Sequence, residues 1–418
     1  MKVFKFGGAS VSDIERIKNV AAIIRRFPQE EILIVVSALG KTTNALEEVV
    51  GDFFNQNKDA ALEKFAAVKK KHRDISAGLL GEANATGLDD LFTEVEWLLH
   101  DKPVRGYDYY YDQIVCVGEL LSSTIVSQYL QQSDIKNNWV DVRDILRTDN
   151  NFRDARVDWD VTSEKVQGHI LPLFSDHPLV ITQGFIGSTD ENESTTLGRE
   201  GSDYTAAVFA NLLNAESVTI WKDVPGVMNA DPKTYEKATL ISELNYREVI
   251  EMAYYGAQVI HPKTIKPLQN KHIPLHVRSF VEPDAEGTII HNDMKDELPP
   301  IIVYKNNQAL IRLSSRDFSF VGEELTATMH RIFASLKYKP NMTQNAAISL
   351  MYVADDKPEK LELLEKQASD LFDVSIEHHL CLLTIRHFRD DLVSELVNGK
   401  KVLLTQRTPE TIQVLMEA

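Results

Sequence analysis

An α/β domain built on a largely parallel sheet, followed by a smaller α+β module, is the fold class that the sequence predicts. Three observations carry the prediction. Residues 2–36 read as strand, helix, strand, a βαβ unit that is right-handed by default. The same alternation returns over residues 179–221. Beyond HNDMKDELPP (291–300), a polar stretch closed by two prolines that reads as a linker, the texture of strands and helices changes.

Taken in order, KVFKF (2–6) reads as a strand. Ser12-Asp13-Ile14-Glu15 has the form of a capping box, and Ile14, Ile17, Val20 and Ile24 follow at helical spacing until Pro28 closes the segment. ILIVV (32–36) is a continuous, β-branched apolar run suited to a buried parallel strand. Residues 45–100 are largely helical in pattern, and a further helical run begins at 107–130. LVITQGFI (179–186) reads as one strand, SDYTAAVFANLLN (202–214) as a helix and SVTIW (217–221) as a strand. HIPLHVRSF (272–280) is the last strand expected of the first domain, which gives domains of residues 1–290 and 301–418.

In the second domain QALIRLSS is a strand, and Leu325, Met329, Ile332, Phe333 and Leu336 mark one face of a helix. AAISLMYVAD (346–355) is a strand, Leu361, Leu364, Ala368 and Leu371 mark a second helix, and IEHHLCLLTIR (376–386) is another strand. A short helical piece, HFRDDLVSELVNG, and two terminal strands complete a module whose second half is shortened.

Bulk properties narrow the function. With 43% hydrophobic and 26% charged residues, the 418-residue chain has an ordinary globular composition. It has no apolar run long enough to predict a membrane span. A strand directly after Met1 leaves no room for a signal peptide, and Cys116 and Cys381 fit no disulfide or metal pattern, so a reducing cytoplasm is the expected location. The net charge of −17 argues against nucleic acid as a partner. An anionic ligand would need local Lys and Arg side chains and helix N-termini to hold it.

Strand C-termini are the default ligand edge of an open α/β sheet. Four polar, glycine-bearing loops fall there: Lys5-Phe-Gly7-Gly8-Ala-Ser10, Ser37-Ala-Leu-Gly-Lys-Thr-Thr43-Asn, TTLGREGSDYTAA and KDVPGVMNADPK. A glycine pair after one strand is usually only a turn. Four such loops at one sheet edge suit a polyphosphate, with Lys5 as the point charge, although Lys5 precedes its glycines where a Walker loop would place the lysine last. Arg199 offers a planar fork for a carboxylate or phosphate. Ser202 and Asp203 stand at a helix start, where simple capping competes with ligand binding. Glu119, early in a probable helix, reads either as a dipole-favoured surface carboxylate or as a buried partner of Lys5, Arg199 or a ligand ammonium group. His261 reads as a structural hydrogen-bonder, and His378 and His379 should face opposite sides of their strand; no metal site is indicated.

In these stretches the chain resembles the aspartokinases: KFGGAS, VVSALGKTTN, VGELLSS, ITQGFIGS, TTLGREGSDYTAA, WKDVPGVMNADP and GAQVIHP occur in the family's order over residues 5–262. The resemblance implies an amino-acid-kinase (carbamate-kinase-like) three-layer α/β/α sandwich, followed by a pair of ACT-like units that bind an amino-acid end product and assemble a homodimer or larger homo-oligomer. It implies ATP-dependent phosphorylation of the β-carboxylate of L-aspartate, the first step toward lysine, threonine and methionine, with Mg²⁺ held mainly by the nucleotide phosphates. By motif, Lys5 would contact the phosphates and Asp203 would organise the site beside it. Ser37, Thr43, Glu119, Phe185, Arg199 and Ser202 would surround the amino acid, with Arg199 on its α-carboxylate and Glu119 on its ammonium group. Gly7, Gly8, Lys222, Asp223, Met228, Asp231, Lys233 and Gln258 would follow the nucleotide.

Four positions depart from the family pattern. Ala9 and Lys222 stand where threonine is usual, Glu200 where glycine is common, and Gln258 where lysine is usual. Lys222 and Gln258 suggest that positive charge reaches the nucleotide from a different position, and Glu200 adds a carboxylate to a loop meant for anions. In the second domain, KYKPNMTQNA (337–346) aligns with an effector-binding segment, yet Pro340, Gln344, Asn345 and Ala346 offer no carboxylate for a lysine side chain. An effector, lysine or threonine, is therefore only an expectation. The competing readings are a kinase of another amino acid, such as glutamate, and a sensor that binds without turnover.

Overall fold

The computed structural model describes residues 1–417 apart from 82–84, 258–259, 294–296 and 318. The chain forms two compact units: residues 1–227, 240–250 and 258–295 make the first, and residues 228–239, 251–257 and 296–418 the second.

The first unit begins with β1 (Lys2–Phe6), α1 (Ile14–Ile24) and β2 (Ile32–Val36). Five helices follow: α2 (Thr42–Phe54), α3 (Lys58–Leu80), α4 (Leu88–His100), α5 (Tyr107–Val115) and α6 (Val117–Gln132). Next come β3 (Asn138–Trp139), α7 (Trp159–Lys165), β4 (Leu179–Gln183), β5 (Ile186–Ser188), β6 (Ser194–Thr196), α8 (Gly201–Leu212) and β7 (Ser217–Lys222). The remainder is β8 (Glu243–Asn245), α9 (Tyr246–Tyr255), whose end falls in the second unit, α10 (Pro262–Asn270), β9 (Leu275–Ser279) and β10 (Thr288–His291).

Eight strands form one sheet in the order β3-β4-β2-β1-β7-β9-β10-β8, parallel throughout except for the β9–β10 pair. Alternation along β1 divides its side chains between two helical layers. Phe4 and Phe6 join Ile34, Val36 and Trp221 in the core beneath α1 to α6. Lys5 faces the other way, toward α8, which packs on β1, β2 and β7 and is itself covered by α10. The result is a three-layer α/β/α sandwich. Trp221 seals its centre, stacked on Phe6 at 6.1 Å and edge-on to Phe4 at 5.8 Å.

The second unit contains β11 (Ile301–Ser314), α11 (Glu323–Ser335), β12 (Pro340–Asn345), β13 (Ser349–Asp355), α12 (Pro358–Ala368), β14 (Asp373–Arg386), α13 (Asp390–Val397), β15 (Val402–Arg407) and β16 (Thr411–Glu417). They form one antiparallel sheet, β12-β13-β11-β14-β16-β15. The long strands β11 and β14 slip register between Lys305 and Leu310, and this divides the sheet into two four-stranded halves. One half buries Ile311, Leu313, Phe333, Tyr352 and Leu364 under α11 and α12. The other packs α13, together with Ala230 and Tyr235 from the segment 228–239, against Ile302, Leu383 and Val414.

Several local expectations are corrected. Asp13, not Ser12, caps α1: its carboxylate accepts the Arg16 N–H at 3.0 Å, while Glu15 pairs outward with Lys18. The run 179–186 is not one strand, because Gly184 and Phe185 break it; Phe185 takes φ 72° and redirects the chain into the β5–β6 hairpin. Ser202 does not cap α8; the cap position is Glu200, at φ 54°. The first unit has a further strand, β10, after residue 280, and the second begins its sheet at Ile301, seven residues ahead of the strand read at Gln308. KYKPNMTQNA contains β12. His378 and His379 do not point apart: His379 adopts φ 57°, and both imidazoles meet Asp356, at 2.9 and 3.7 Å.

Candidate active site

The sheet edge at the C-termini of β1, β2, β4 and β7 opens into a cavity of about 510 Å³. Its floor is two interlocked loops. Gly40 donates its N–H to the Gly8 carbonyl at 2.9 Å, and a side chain at Gly8 would come within 2.8 Å of the Ala38 carbonyl oxygen. Only glycine allows that approach. Lys71 fastens the second loop from α3 by donating to the Leu39 carbonyl at 3.1 Å.

Lys5 projects from β1 into this cavity and pairs with Asp203 in the first turn of α8, Nζ to Oδ1 at 2.7 Å. Lys222, at the end of β7, stands 3.8 Å from the other Asp203 oxygen. Burial alone would push the Asp203 carboxyl up, but the two lysines hold it below its ordinary value. Two lysines on one carboxylate leave net positive charge beside the glycine loops.

Glu119 differs. It is 3% exposed, and Oε1 accepts the Ala38 N–H at 3.4 Å. Its Oε2 has no hydrogen-bond partner. Burial raises its pKa to about 8 in spite of that N–H and the field of Lys5. A buried carboxyl group lining a cavity with one oxygen unsatisfied is built to receive a cationic donor, whose charge would favour the ionised form.

Ser37, Thr43, Phe185, Arg199 and Ser202 line the same cavity. Ser122 fixes the Ser37 carbonyl at 2.5 Å. Phe185 is held in its left-handed conformation by donating its N–H to Thr205 Oγ1 at 3.0 Å. Gly184 lies so close to α8 that a Cβ there would stand 2.5 Å from the Ser202 Cβ. Arg199 is exposed and forms no ion pair among the described residues.

Of the residues read along the nucleotide, Lys5, Gly8 and Lys222 line the cavity, while Gly7, in extended backbone, precedes the short helical turn Gly8–Val11. Asp223 is exposed in the loop after β7. Met228, Asp231 and Lys233 belong to the second unit, where Asp231 accepts the Lys233 N–H at 2.9 Å. Gln258 lies outside the described residues. Glu200 lines the cavity, yet its carboxylate is turned to the N-terminus of α10, where it accepts the His261 N–H at 2.9 Å. His261 caps that helix, accepting from Lys263.

Sequence reading missed Tyr111, Arg153 and Thr196, which also line the cavity. Arg153, at φ 68°, stacks its guanidinium 4.3 Å from the Tyr111 ring centre and pairs with Glu47 at 3.2 Å and Asp108 at 3.4 Å. Asp112, wholly buried, accepts the backbone N–H groups of Arg153 at 3.0 Å and Thr196 at 2.8 Å, and the Thr196 hydroxyl at 2.7 Å. Burial lifts Asp112 to about 6 and Tyr111 to about 12; Glu47, Arg153, Asp112 and Glu119 are the charges acting on Tyr111. Their separation along the chain left no motif to read. Phe185, Glu200 and Arg153, three non-glycine residues at positive φ, all border this cavity.

The profile of the amino acid kinase family matches residues 1–279. A bifunctional aspartokinase/homoserine dehydrogenase 2 from Arabidopsis thaliana chloroplasts is 36% identical over 304 residues, 71% of this chain and 33% of that protein. The chain thus spans about a third of the length of such bifunctional plant relatives. Lysine-sensitive aspartokinase 3 of Escherichia coli K12 is 35% identical over 323 residues, covering 75% of this chain and 69% of the relative. The crystal structure of E. coli aspartokinase III in complex with aspartate and ADP superposes with a TM-score of 0.82 at 28% identity, over 100% of this chain and 96% of that one.

Proposed function

The chain belongs to the amino acid kinase family and, within it, to the aspartokinases, and from that premise we propose that it transfers the γ-phosphoryl group of ATP to the β-carboxylate of L-aspartate, giving 4-phospho-L-aspartate and ADP. One observation carries the reading: a single cavity gathers a buried, half-satisfied carboxylate, an exposed guanidinium and a lysine–aspartate–lysine cluster over glycine loops. That set matches an amino acid's ammonium group, its carboxylate and a polyphosphate.

The chemistry needs no general base, since a free aspartate side chain with a pKa of about 3.9 is already a carboxylate at neutral pH. A β-carboxylate oxygen bonds to the γ-phosphorus as the bond to the β–γ bridging oxygen breaks, and the electron pair leaves with ADP. Catalysis then rests on alignment and on neutralising charge on the phosphoryl oxygens. Glu119 takes the ammonium group and Arg199 the α-carboxylate. Ser37, Thr43, Phe185 and Ser202 complete the amino-acid pocket. Lys5 supplies charge at the phosphoryl group, and Asp203 fixes Lys5 and Lys222 in position. Asp223, Met228, Asp231, Lys233 and Gln258 are assigned to the nucleotide by their motif alone.

Mg²⁺ would neutralise phosphate charge when bound with ATP. No group of three or more His, Cys, Asp or Glu side chains suited to a metal occurs among the described residues. Asp203 is committed to two lysines and Glu200 to the His261 N–H. These residues fit a cation carried by phosphates, not one caged by side chains.

Homodimer assembly and an amino-acid effector at the second unit belong to the same reading. Segment 340–346 carries no carboxylate for a lysine ammonium group, so lysine and threonine are both to be tried. No helix among the described residues is long and apolar enough to cross a membrane.

The test incubates the protein with Mg·ATP and aspartate and traps acyl phosphate with hydroxylamine, with glutamate as control and lysine or threonine in parallel. Aspartate-dependent hydroxamate is expected. Product from glutamate alone would mean a different amino-acid kinase, and bound ATP without product would mean a sensor.

A further inference from the structure

We propose that Arg153 is a substrate-specificity residue of this cavity, supplying a second guanidinium for the α-carboxylate of the amino acid beside Arg199. The inference rests on the aspartate kinase reading and extends it to a residue outside the motifs.

Arg153 is part of the cavity wall, and its backbone holds a left-handed φ of 68° that a non-glycine residue adopts only when its surroundings enforce it. Here the enforcement is visible. Buried Asp112 anchors the Arg153 N–H, and the same carboxylate oxygen anchors Thr196, so the strained turn is tied to the hairpin that leads into Arg199. The side chain is equally set. Tyr111 lies under the guanidinium, and Glu47 and Asp108 hold it at 3.2 and 3.4 Å. Stacking on an aromatic ring fixes the plane of a guanidinium, so a substrate carboxylate would meet its edge at two points in place of Glu47 and Asp108.

Position selects which carboxylate. Arg153 shares the cavity wall with Glu119 and Arg199, and Asp112 ties its backbone to Thr196, three residues before Arg199, which puts the guanidinium on the amino-acid side of the cavity. Ammonium and α-carboxylate share the α-carbon, so the group that reaches Arg153 is the α-carboxylate. The β-carboxylate must instead face Lys5 and the phosphoryl group. Glu47 and Asp108, both substantially exposed, can yield their hold on the guanidinium to a substrate carboxylate at little cost.

The experiment compares wild type, Arg153→Gly and Arg153→Lys with L-aspartate and with its α-amide, which keeps the ammonium and β-carboxylate but lacks the α-charge. Glycine suits φ 68°, so Arg153→Gly should keep its melting temperature. With aspartate, KM should rise about tenfold or more in Arg153→Gly and by less in Arg153→Lys, while KM for ATP and kcat stay within about twofold. With the α-amide, wild type and Arg153→Gly should have nearly equal kcat/KM. An unchanged KM for aspartate in folded Arg153→Gly, or an equal loss with the α-amide, overturns the assignment and leaves the aspartate kinase reading standing. Wild-type protein that makes no aspartyl phosphate overturns both.

Discussion

Lys5 and Asp203 meet at 2.7 Å, a strand lysine and a residue in the first turn of a helix more than 190 positions later, with Lys222 at 3.8 Å on the other side of the carboxylate. The arrangement aims two cations from adjacent parallel strands at one point. If Lys5 neutralises charge in the transition state, Lys5→Ala should lower kcat by about 10²–10³ and leave KM for aspartate nearly unchanged. Steady-state kinetics decides it, and an unchanged kcat would sink the role.

Glu119 predicts a pH dependence of stability. Its pKa is about 8 in the folded protein against an ordinary 4.5, so between those values the folded state keeps a proton that the unfolded chain has lost. Stability from this group is therefore complete below about pH 4.5, declines as pH rises, and levels off above about pH 8. Asp112 contributes in the same direction only up to about pH 6, and His72 and His276, whose imidazoles burial holds below 6.5, act in the opposite direction until the unfolded imidazoles have lost their protons, so the interval from about pH 7 to 8 reports chiefly Glu119. Denaturant melts of the ligand-free protein there should slope downward by up to about 1.4 kcal/mol per pH unit, and Glu119→Gln should flatten them. A slope that survives the substitution would assign it elsewhere.

Gly184 tests the close contact between the end of β4 and the start of α8. An added Cβ would lie 2.5 Å from the Ser202 Cβ and 2.8 Å from its Cα, and backbone cannot swing aside as a side-chain tip can. Gly184→Ala should cost about 1–3 kcal/mol of stability. It should also depress kcat/KM, because Ser202 and Asp203 move together. Gly51→Ala, where nothing lies within 4 Å of the added carbon, is the matched control and should be neutral or better in its helix.

Much of this could be read from the sequence because it is local. The run ILIVV became a central strand, Lys5 was read from its place at the end of the first strand, and residues of three glycine-bearing motifs, with Lys222 of the fourth, line one cavity because α/β topology brings strand C-termini to one edge. What escaped depended on the third dimension. Glu119 could not be assigned until its burial was known. Ser202 looked like a cap because capping residues and ligands are the same types, and Glu200 took the position through a left-handed turn that no propensity favours. His378 and His379 converge through one residue at positive φ, which a period-two reading cannot foresee. Arg153 needed Asp112, Tyr111 and Glu47, three partners scattered over a hundred positions.

Asp112 offers the sharpest separation of charge from geometry. Its Oδ2 accepts two backbone N–H groups, from Arg153 and Thr196, and its Oδ1 accepts the Thr196 hydroxyl. In Asp112→Asn the amide oxygen can take over both N–H groups, and the amide nitrogen can donate to the Thr196 hydroxyl, which rotates to accept. Asp112→Asn should therefore lie within about 1 kcal/mol of wild type. Asp112→Ala strands two buried backbone donors and leaves a void, at a cost of about 2–5 kcal/mol. It also frees the strained Arg153 turn, so KM for aspartate should rise in the alanine variant and not in the asparagine one. Urea melts and aspartate titrations of the pair decide between a carboxylate needed for its charge and one needed for its two acceptor positions. Equal losses in both variants would favour the charge.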